Sequence, residues 1–230
     1  MSDSTFFSRG DPAQPPSAVE LEFARRYDQE HARVCHQPRP RGLGGRLTFW
    51  REEQLVRNAL QVAGEPGLIL DVACGAGRFW PVLAEHANRV ILATDPSQDM
   101  LDHARTHHPP HLLKRIKTFQ SSAFTIGLSA NAVDCIFCMQ LFQRIASPEH
   151  RLAMLGEFHR VSRDTVIVAV RVDRRFMLRR SSAQDAQVQP QASKAELEAE
   201  FRQAGFCLFS HQDFLPGCAR MRVYVLRKGS

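Results

Sequence analysis

Short apolar runs alternate with amphipathic helical patterns from residue 67 to the end of the chain. Five of these runs are interpreted as continuous apolar strands rather than alternating ones, which indicates strands covered on both faces. Strands of this kind, separated by helices, are typical of a parallel sheet with right-handed crossovers. We therefore predict an α/β fold with helices on both faces of the sheet. The five runs are Leu68–Ala73, Val90–Thr94, Ile116–Gln120, Val133–Met139 and Thr165–Val170.

Two more strands are predicted near the C-terminus. Phe206–Phe209 and Met221–Leu226 are apolar and are separated by a loop that contains Pro216-Gly217. A helix is predicted before them, because Ser193 and Glu196 form a capping-box pattern and Gly205 is a typical helix end. The sheet is thus expected to have seven strands.

The N-terminal region differs in composition from the rest. Residues 1–16 are rich in Ser, Asp, Pro and Gly, which predicts a loose tail. Residues 17–64 show helical spacing twice, the second time over about Thr48–Ala63, and are interpreted as a helical cap. Residues 65–230 form the main domain, so that one domain with its cap accounts for the 230 residues.

Composition excludes several classes of protein. A chain that is 43% hydrophobic and 23% charged is neither fibrous nor wholly disordered. The N-terminus has no signal-peptide pattern and no apolar run reaches 18 residues, so we expect a cytoplasmic protein without a membrane span and with reduced cysteines. Cys135 and Cys138 have C-x-x-C spacing, but within a strand such positions face opposite sides, so buried thiols and no metal site are predicted.

A glycine loop follows the first strand. The run Asp71-Val-Ala-Cys-Gly75-Ala-Gly77 stands at a strand-to-helix junction, where glycines allow a ligand to approach the backbone. A dinucleotide fingerprint would continue to a third glycine, but Trp80 occupies that position. Asp71 beside the loop favours a cationic ligand, because a carboxylate repels a pyrophosphate.

A second acid ends the next strand. Asp95 follows Gly77 by 18 residues, where a carboxylate can accept hydrogen bonds from both hydroxyls of a ribose. The two acids together favour a nucleoside that carries positive charge in place of phosphate. S-adenosylmethionine has these properties.

The sequence resembles the class I S-adenosylmethionine-dependent methyltransferases, and within them the small type 11-like single-domain subgroup. The resemblance covers about residues 66–228 and is carried by LDVACGAGRF, TDPSQDML, NAVDCIFCM and the closing AGF strand pair. It implies a Rossmann-like sheet of order 3-2-1-4-5-7-6 with the last strand antiparallel. It also implies S-adenosylmethionine as cofactor and S-adenosylhomocysteine as product.

The resemblance assigns roles by motif position. It places the methionine portion of the cofactor on the glycine loop, the ribose on Asp95 and the adenine near the two following segments, with an N-terminal lid above. The implied cofactor residues are Asp71, Ala73, Gly75, Gly77, Asp95, Pro96, Met100, Ser122, Ala123, Phe124 and Met139, with Tyr27 and Trp50 in the lid. Packing of the cap on the sheet is an equally good interpretation of Tyr27 and Trp50.

No general base is evident. Relatives often have a His pair after the fourth strand, where this chain has Phe142-Gln143. In a separate departure, the acid with which relatives bind the adenine amino group is replaced near Ser122 by hydroxyls. Gln140, Gln143 and His31 are weak catalytic candidates. Methyl transfer is an in-line displacement at an activated carbon and needs no protein nucleophile, so orientation of the reactants supplies much of the acceleration.

The acceptor is expected to be a small molecule or a glycan. The [DNS]-P-P-[YFW] motif of base-amine methyltransferases is absent after the fourth strand, which disfavours nucleic acid. The formal charge is +6, and residues 171–230 contribute +5 of it. An anionic acceptor could therefore be bound by Arg171, Arg174 and Arg175, although a solvated basic loop explains these three residues as well. Arg144 is a further candidate for acceptor binding.

Other functions and the oligomeric state stay open at this point. The departures at Ser122 and Gln143 are compatible with a catalytically silent, cofactor-binding regulator. A methyltransferase acting on RNA or protein and, less favoured, an NAD-linked oxidoreductase are further alternatives.

Overall fold

The computed structural model describes residues 42–139, 141–145, 147–170, 193–215 and 218–229. The predicted tail, the first cap helix and the basic insertion lie outside these residues. So do six candidate site residues: Tyr27, His31, Gln140, Arg171, Arg174 and Arg175.

Strands and helices alternate along the described chain. The strands are β1 (Leu68–Val72), β2 (Val90–Asp95), β3 (Ile116–Gln120), β4 (Val133–Cys138), β5 (Ser162–Val170), β6 (Phe206–Leu215) and β7 (Cys218–Lys228). The helices are α1 (Leu43–Val62), α2 (Trp80–Leu83), α3 (Gln98–His107), α4 (Pro110–Leu113), α5 (Pro148–Val161) and α6 (Lys194–Gln203). A 3₁₀ turn, Phe142–Arg144, lies between β4 and α5.

The seven strands form one sheet in the order β3-β2-β1-β4-β5-β7-β6. β7 is antiparallel to both of its neighbours, and the pairs among β1 to β5 are parallel. The predicted fold class and strand order are confirmed. Because the parallel strands end at the same edge, the loops after β1, β2 and β4 meet there.

Several element boundaries differ from the prediction. β5 begins at Ser162 instead of the predicted Thr165, because the Ser162 hydroxyl donates to the Phe158 carbonyl at 2.7 Å and the backbone enters the sheet directly. α1 begins earlier, at Leu43, and α2 has only 4 residues. β6 and β7 extend to 10 and 11 residues, because their polar ends still pair with each other across the hairpin.

Alternate residues of the central strands enter two apolar cores. Leu70 and Ile136 face the core under α5 and α6, whereas Ile69 and Phe137 face the core under α1 and α2. Cys135 and Cys138 are both 0% exposed, in the α1 and α5 cores respectively, which confirms buried thiols on opposite faces.

Among the described residues, no helix is both long enough and apolar enough to cross a membrane.

Candidate functional site

The loop after β1 folds back on itself at the carboxyl edge of the sheet. Ala73, Gly75 and Gly77 all have positive φ, at 55°, 54° and 69°. The Cys74 N–H donates to the Thr94 carbonyl at 3.0 Å, which ties the loop to the end of β2. For the two glycines this backbone carries no side-chain penalty, whereas Ala73 adopts it against its preference.

Gly77 is required by its neighbour Trp80 as well as by its φ angle. A Cβ on Gly77 would lie 2.6 Å from Cε3 and 2.7 Å from Cε2 of the Trp80 ring. At Gly75 the nearest atom would be Cε of Met100 at 3.6 Å, an ordinary contact. The indole therefore fills the space directly beneath the second glycine.

Asp71 lies in β1 beneath this loop, is 4% exposed, and points to the same face as Trp80. The indole Nε1 of Trp80 donates to Asp71 Oδ2 at 3.1 Å. Burial raises the pKa of the Asp71 carboxyl to about 8. The hydrogen bond from the indole lowers this pKa, and the nearby Asp95 charge raises it by a smaller amount. At neutral pH this acid is therefore mostly protonated.

Asp95 connects the two loops of the site. Its Oδ2 accepts the Gly75 N–H at 2.9 Å and its Oδ1 accepts the Ser97 N–H at 3.0 Å. The side chain is 0% exposed. Sequence reasoning placed this acid correctly at the end of β2, but its role as a clamp on the glycine loop is visible only in the structure.

The residues expected near an adenine surround the start of α3 and the segment after β3. Ser97 caps α3 by accepting the Met100 N–H at 3.4 Å, and Met100 packs beside Gly75. The Ser122 hydroxyl accepts the Phe124 N–H at 3.1 Å. Of the other residues expected near the adenine, Pro96 and Phe124 are half-buried and Ala123 belongs to the core.

The segment after β4 is held by a buried ion pair. Arg151 of α5 makes two hydrogen bonds to Glu200 of α6, at 2.8 and 2.6 Å, and donates to the Ile145 carbonyl at 3.0 Å. Met139, at the start of this segment, is 6% exposed and packs in the α1 core. Gln143 and Arg144 lie in the 3₁₀ turn of the same segment.

Trp50 lies on the exposed side of α1 and is 54% accessible to solvent. The contact between α1 and the glycine loop is made instead by Arg78. Its guanidinium pairs with Glu52 and lies 4.5 Å from the centre of the Phe49 ring. Arg51 joins the same helix to the end of β6 by donating to the Phe214 carbonyl at 2.8 Å.

Sequence reasoning missed three residues around the loop. Trp80 was noted only because it breaks the dinucleotide fingerprint, although a bulky residue two or three places after Gly77 is a signal of close packing. His108 Nε2 lies 3.0 Å from the Ala76 carbonyl, and its ring stacks obliquely on Trp80 at 4.9 Å between centroids. No sequence pattern marks His108 or Arg78.

Residues 69–165 match a family model described as a methyltransferase domain. This segment includes the glycine loop, both acids and the turn after β4. Residues 69–165, less than half of the chain, are thus similar to a class I S-adenosylmethionine-dependent methyltransferase domain. Domains of this family use S-adenosylmethionine as methyl donor.

Known proteins are similar to this chain in sequence or in fold. An uncharacterized methyltransferase-like protein of Schizosaccharomyces pombe is 33% identical over 86 residues, which are 37% of this chain and 31% of that protein. The match thus spans about a third of that relative's length. A magnesium protoporphyrin IX methyltransferase from Synechocystis PCC 6803, crystallised with S-adenosylhomocysteine, superposes with a TM-score of 0.64 at 14% identity, over 90% of this chain and 97% of that one.

A third similar structure is the [4+2]-cyclase SpnF, with a TM-score of 0.63 at 17% identity over 77% of this chain and 81% of that one. Its name describes a reaction other than methyl transfer. The methyltransferase fold by itself therefore does not determine the reaction.

Proposed function

We propose that this chain binds S-adenosylmethionine at the carboxyl edge of β1 and β2 and transfers its methyl group to an oxygen or nitrogen of a small-molecule or glycan acceptor. The observation that carries the proposal is the pair of buried acids, Asp71 and Asp95, on either side of the glycine loop. The family match of residues 69–165 supports it.

The residues of the loop fit the methionine end of this cofactor. Asp71 is a buried carboxyl whose hydrogen-bond donor is the neutral indole of Trp80, and no Lys, Arg or His of the described chain forms an ion pair with it. An ammonium group would supply the missing positive charge. A pyrophosphate would bring negative charge next to the Asp95 carboxylate, which argues against a dinucleotide.

The ribose end requires a local rearrangement. Asp95 is fully buried by the Gly75 and Ser97 N–H groups, so ribose hydroxyls reach its carboxylate only when the loop or the start of α3 moves aside. Binding and loop geometry are therefore coupled through this one side chain.

The bound donor supplies a methyl carbon activated by the adjacent sulfonium. The protein's task is then to hold the acceptor in line with that carbon and to exclude water, for which no protein nucleophile is needed. Asp71 and Asp95 orient the donor from one side. The segment after β4, fixed through Arg151, Glu200 and Ile145, is placed to shape the acceptor side.

The excess of positive charge in the C-terminal quarter, residues 171–230, favours an anionic acceptor. Several cations of the C-terminal quarter are already engaged: Arg222 with Asp213 at 2.6 Å, Lys194 with Glu198 at 3.7 Å and Arg227 with Asp164 at 3.8 Å. The arginines at 171, 174 and 175 lie outside the described residues and are proposed, with Arg144, as acceptor contacts.

Cofactor binding is tested by the shift in melting temperature on addition of S-adenosylmethionine or S-adenosylhomocysteine. We expect a clear shift for the wild type and for Asp102→Asn, an exposed acid on α3 that serves as the matched control. Asp71→Asn should reduce the shift. No shift with either ligand for the wild type would contradict the proposal.

The acceptor is tested by incubating the protein with methyl-labelled donor and separate metabolite, lipid-sugar, RNA and protein fractions. Label is expected in the metabolite or lipid-sugar fraction, and label only in RNA or protein would contradict the acceptor class. Charge reversal at Arg174 and Arg175 should lower turnover while the cofactor-induced melting shift stays unchanged.

A cofactor-binding protein without methyl transfer is the second candidate. The similarity to SpnF, whose name describes a reaction other than methyl transfer, favours it. Binding of both ligands with no label transferred to any of the four fractions would support this function over the first.

A further inference from the structure

The buried pair of Trp80 and Asp71 is not explained by packing alone. Trp80 is 0% exposed and fills the space under Gly77, and at the same time its only polar atom, Nε1, is aimed at the Asp71 carboxyl. Because the indole has a single N–H, which it donates to Oδ2, it leaves the second carboxyl oxygen of Asp71 free for another donor. The indole therefore fixes the direction in which this acid can be approached.

The groups around Asp71 determine its charge. Its own strand neighbours in the sheet are Ala93 of β2 and Phe137 of β4, both apolar. The titratable groups of other elements that interact electrostatically with it are Asp95 at the end of β2, the Cys74 thiol of the loop and, on the opposite face of the sheet, the Cys138 thiol of β4. His108 lies on the far side of the Trp80 ring.

None of these neighbours supplies a positive charge directly to Asp71. Asp95 disfavours a second negative charge nearby, and burial raises the pKa of both thiols, so Cys74 and Cys138 stay neutral. A carboxyl in such surroundings keeps its proton in the free protein and loses it when a cation arrives.

We propose that Trp80 is the positioning residue for Asp71, and that Asp71 releases one proton to solvent when the ammonium group of an aminoacyl nucleoside binds to it. This inference rests on the proposed function and names a coupling within that same site. The O–H bond of the Asp71 carboxyl breaks, the proton passes to water or buffer, and the carboxylate then pairs with the ligand ammonium. No other bond forms or breaks.

The number of protons released on binding follows from the raised pKa of the buried acid. With a pKa of about 8, Asp71 is about nine-tenths protonated at pH 7, so binding releases about 0.9 proton there. The dissociation constant should then fall about tenfold between pH 6 and pH 7. A ligand without the ammonium group should show neither effect.

The experiment is isothermal titration calorimetry at pH 7 in buffers of different ionisation enthalpy, whose slope counts released protons. S-adenosylhomocysteine carries the ammonium group, and 5′-methylthioadenosine retains the nucleoside without it. We expect about 0.9 proton for the first ligand and none for the second. Asp71→Asn should abolish the release with S-adenosylhomocysteine and leave the affinity for 5′-methylthioadenosine unchanged, which also shows that the variant is folded.

Trp80→Phe tests the positioning role, because it keeps an aromatic ring and removes the N–H donor. Without the N–H donor, the charged form of Asp71 is less stabilised, so S-adenosylhomocysteine should bind about two- to tenfold more weakly and release more protons than the wild type at pH 8. The affinity for 5′-methylthioadenosine should not change, whereas a merely structural role of Trp80 would weaken both ligands alike.

The outcomes separate this inference from the proposed function. Failure of both ligands to bind would contradict the proposed function itself. Binding of S-adenosylhomocysteine without proton release would overturn the coupling and leave the proposed function standing. Equal affinity and release in Trp80→Phe and wild type would overturn the role of Trp80.

Discussion

Substituting Gly77 by alanine should destabilise the protein far more than the same change at Gly75. Both glycines have positive φ, so each alanine costs about 1–2 kcal/mol for the left-handed backbone. At Gly77 the new methyl group would also lie 2.6 Å from Cε3 of Trp80, inside a packed core. Overpacking of this kind adds about 1–3 kcal/mol, for a total of about 2–5 kcal/mol.

The assay is urea unfolding followed by far-UV circular dichroism, which does not depend on the tryptophan that is later replaced. Gly75→Ala is the matched control, because its added methyl group meets only the flexible end of Met100 at 3.6 Å. We expect Gly75→Ala to cost no more than the backbone contribution of about 1–2 kcal/mol.

A double-mutant cycle tests whether the Trp80 indole causes the destabilisation by Gly77→Ala. In a Trp80→Leu background the clash is absent, so Gly77→Ala should cost at least about 1 kcal/mol less than in the wild type. Equal costs in the two backgrounds, or equal costs at Gly75 and Gly77 in the wild type, would refute the argument that the indole excludes a side chain at residue 77.

Three more predictions follow from the described contacts. Gly156→Ala should raise the free energy of unfolding by about 1 kcal/mol, because Gly156 lies inside α5 and a Cβ there meets nothing within 4 Å; a lower urea midpoint would contradict this. Arg151→Met should cost about 3–5 kcal/mol, because it leaves the Glu200 carboxylate buried without its cation; Arg151→Met with Glu200→Leu should recover most of that loss, and a double variant as unstable as the single one would show that the charge is not the cause. The folded-state pKa of Asp71 is raised from 3.8 to about 8, so its contribution to stability is present below pH 4 and is lost as pH rises towards 8. Urea unfolding from pH 5 to 8.5 should therefore show a steeper decline for the wild type than for Asp71→Asn, and parallel pH profiles would contradict the burial argument.

Much of the fold follows from local sequence patterns. The continuous apolar runs predicted both the strand positions and the two covered faces, because a strand with a solvated face would alternate in polarity. The seven strands and their order 3-2-1-4-5-7-6 are confirmed, although the order came from the family resemblance rather than from periodicity. The polar ends of β6 and β7 were missed, because cross-strand pairing rather than local hydrophobicity extends them.

The candidate site was predictable only in part. The sequence allowed four site residues to be selected. Asp71, Gly75 and Gly77 lie in one short stretch between a strand and a helix, and Asp95 lies at the end of the next strand. Their roles are predictions that the proposed experiments test. Trp50 shows what such reasoning leaves open, since helical spacing does not say what a helix packs against, and Trp50 is exposed. Tyr27 lies outside the described residues, so a lid role for the two residues stays a prediction.

The sequence by itself determined the alternation of strands and helices and the placement of two acids beside a glycine loop, because these depend on spacing along the chain. The tertiary structure decided how those acids are held: Asp95 by two backbone N–H groups from separate loops, and Asp71 by the indole of Trp80. It also decided that Asp71 keeps its proton, because the charge of a carboxyl depends on burial and on neighbours from other strands, which no linear pattern specifies.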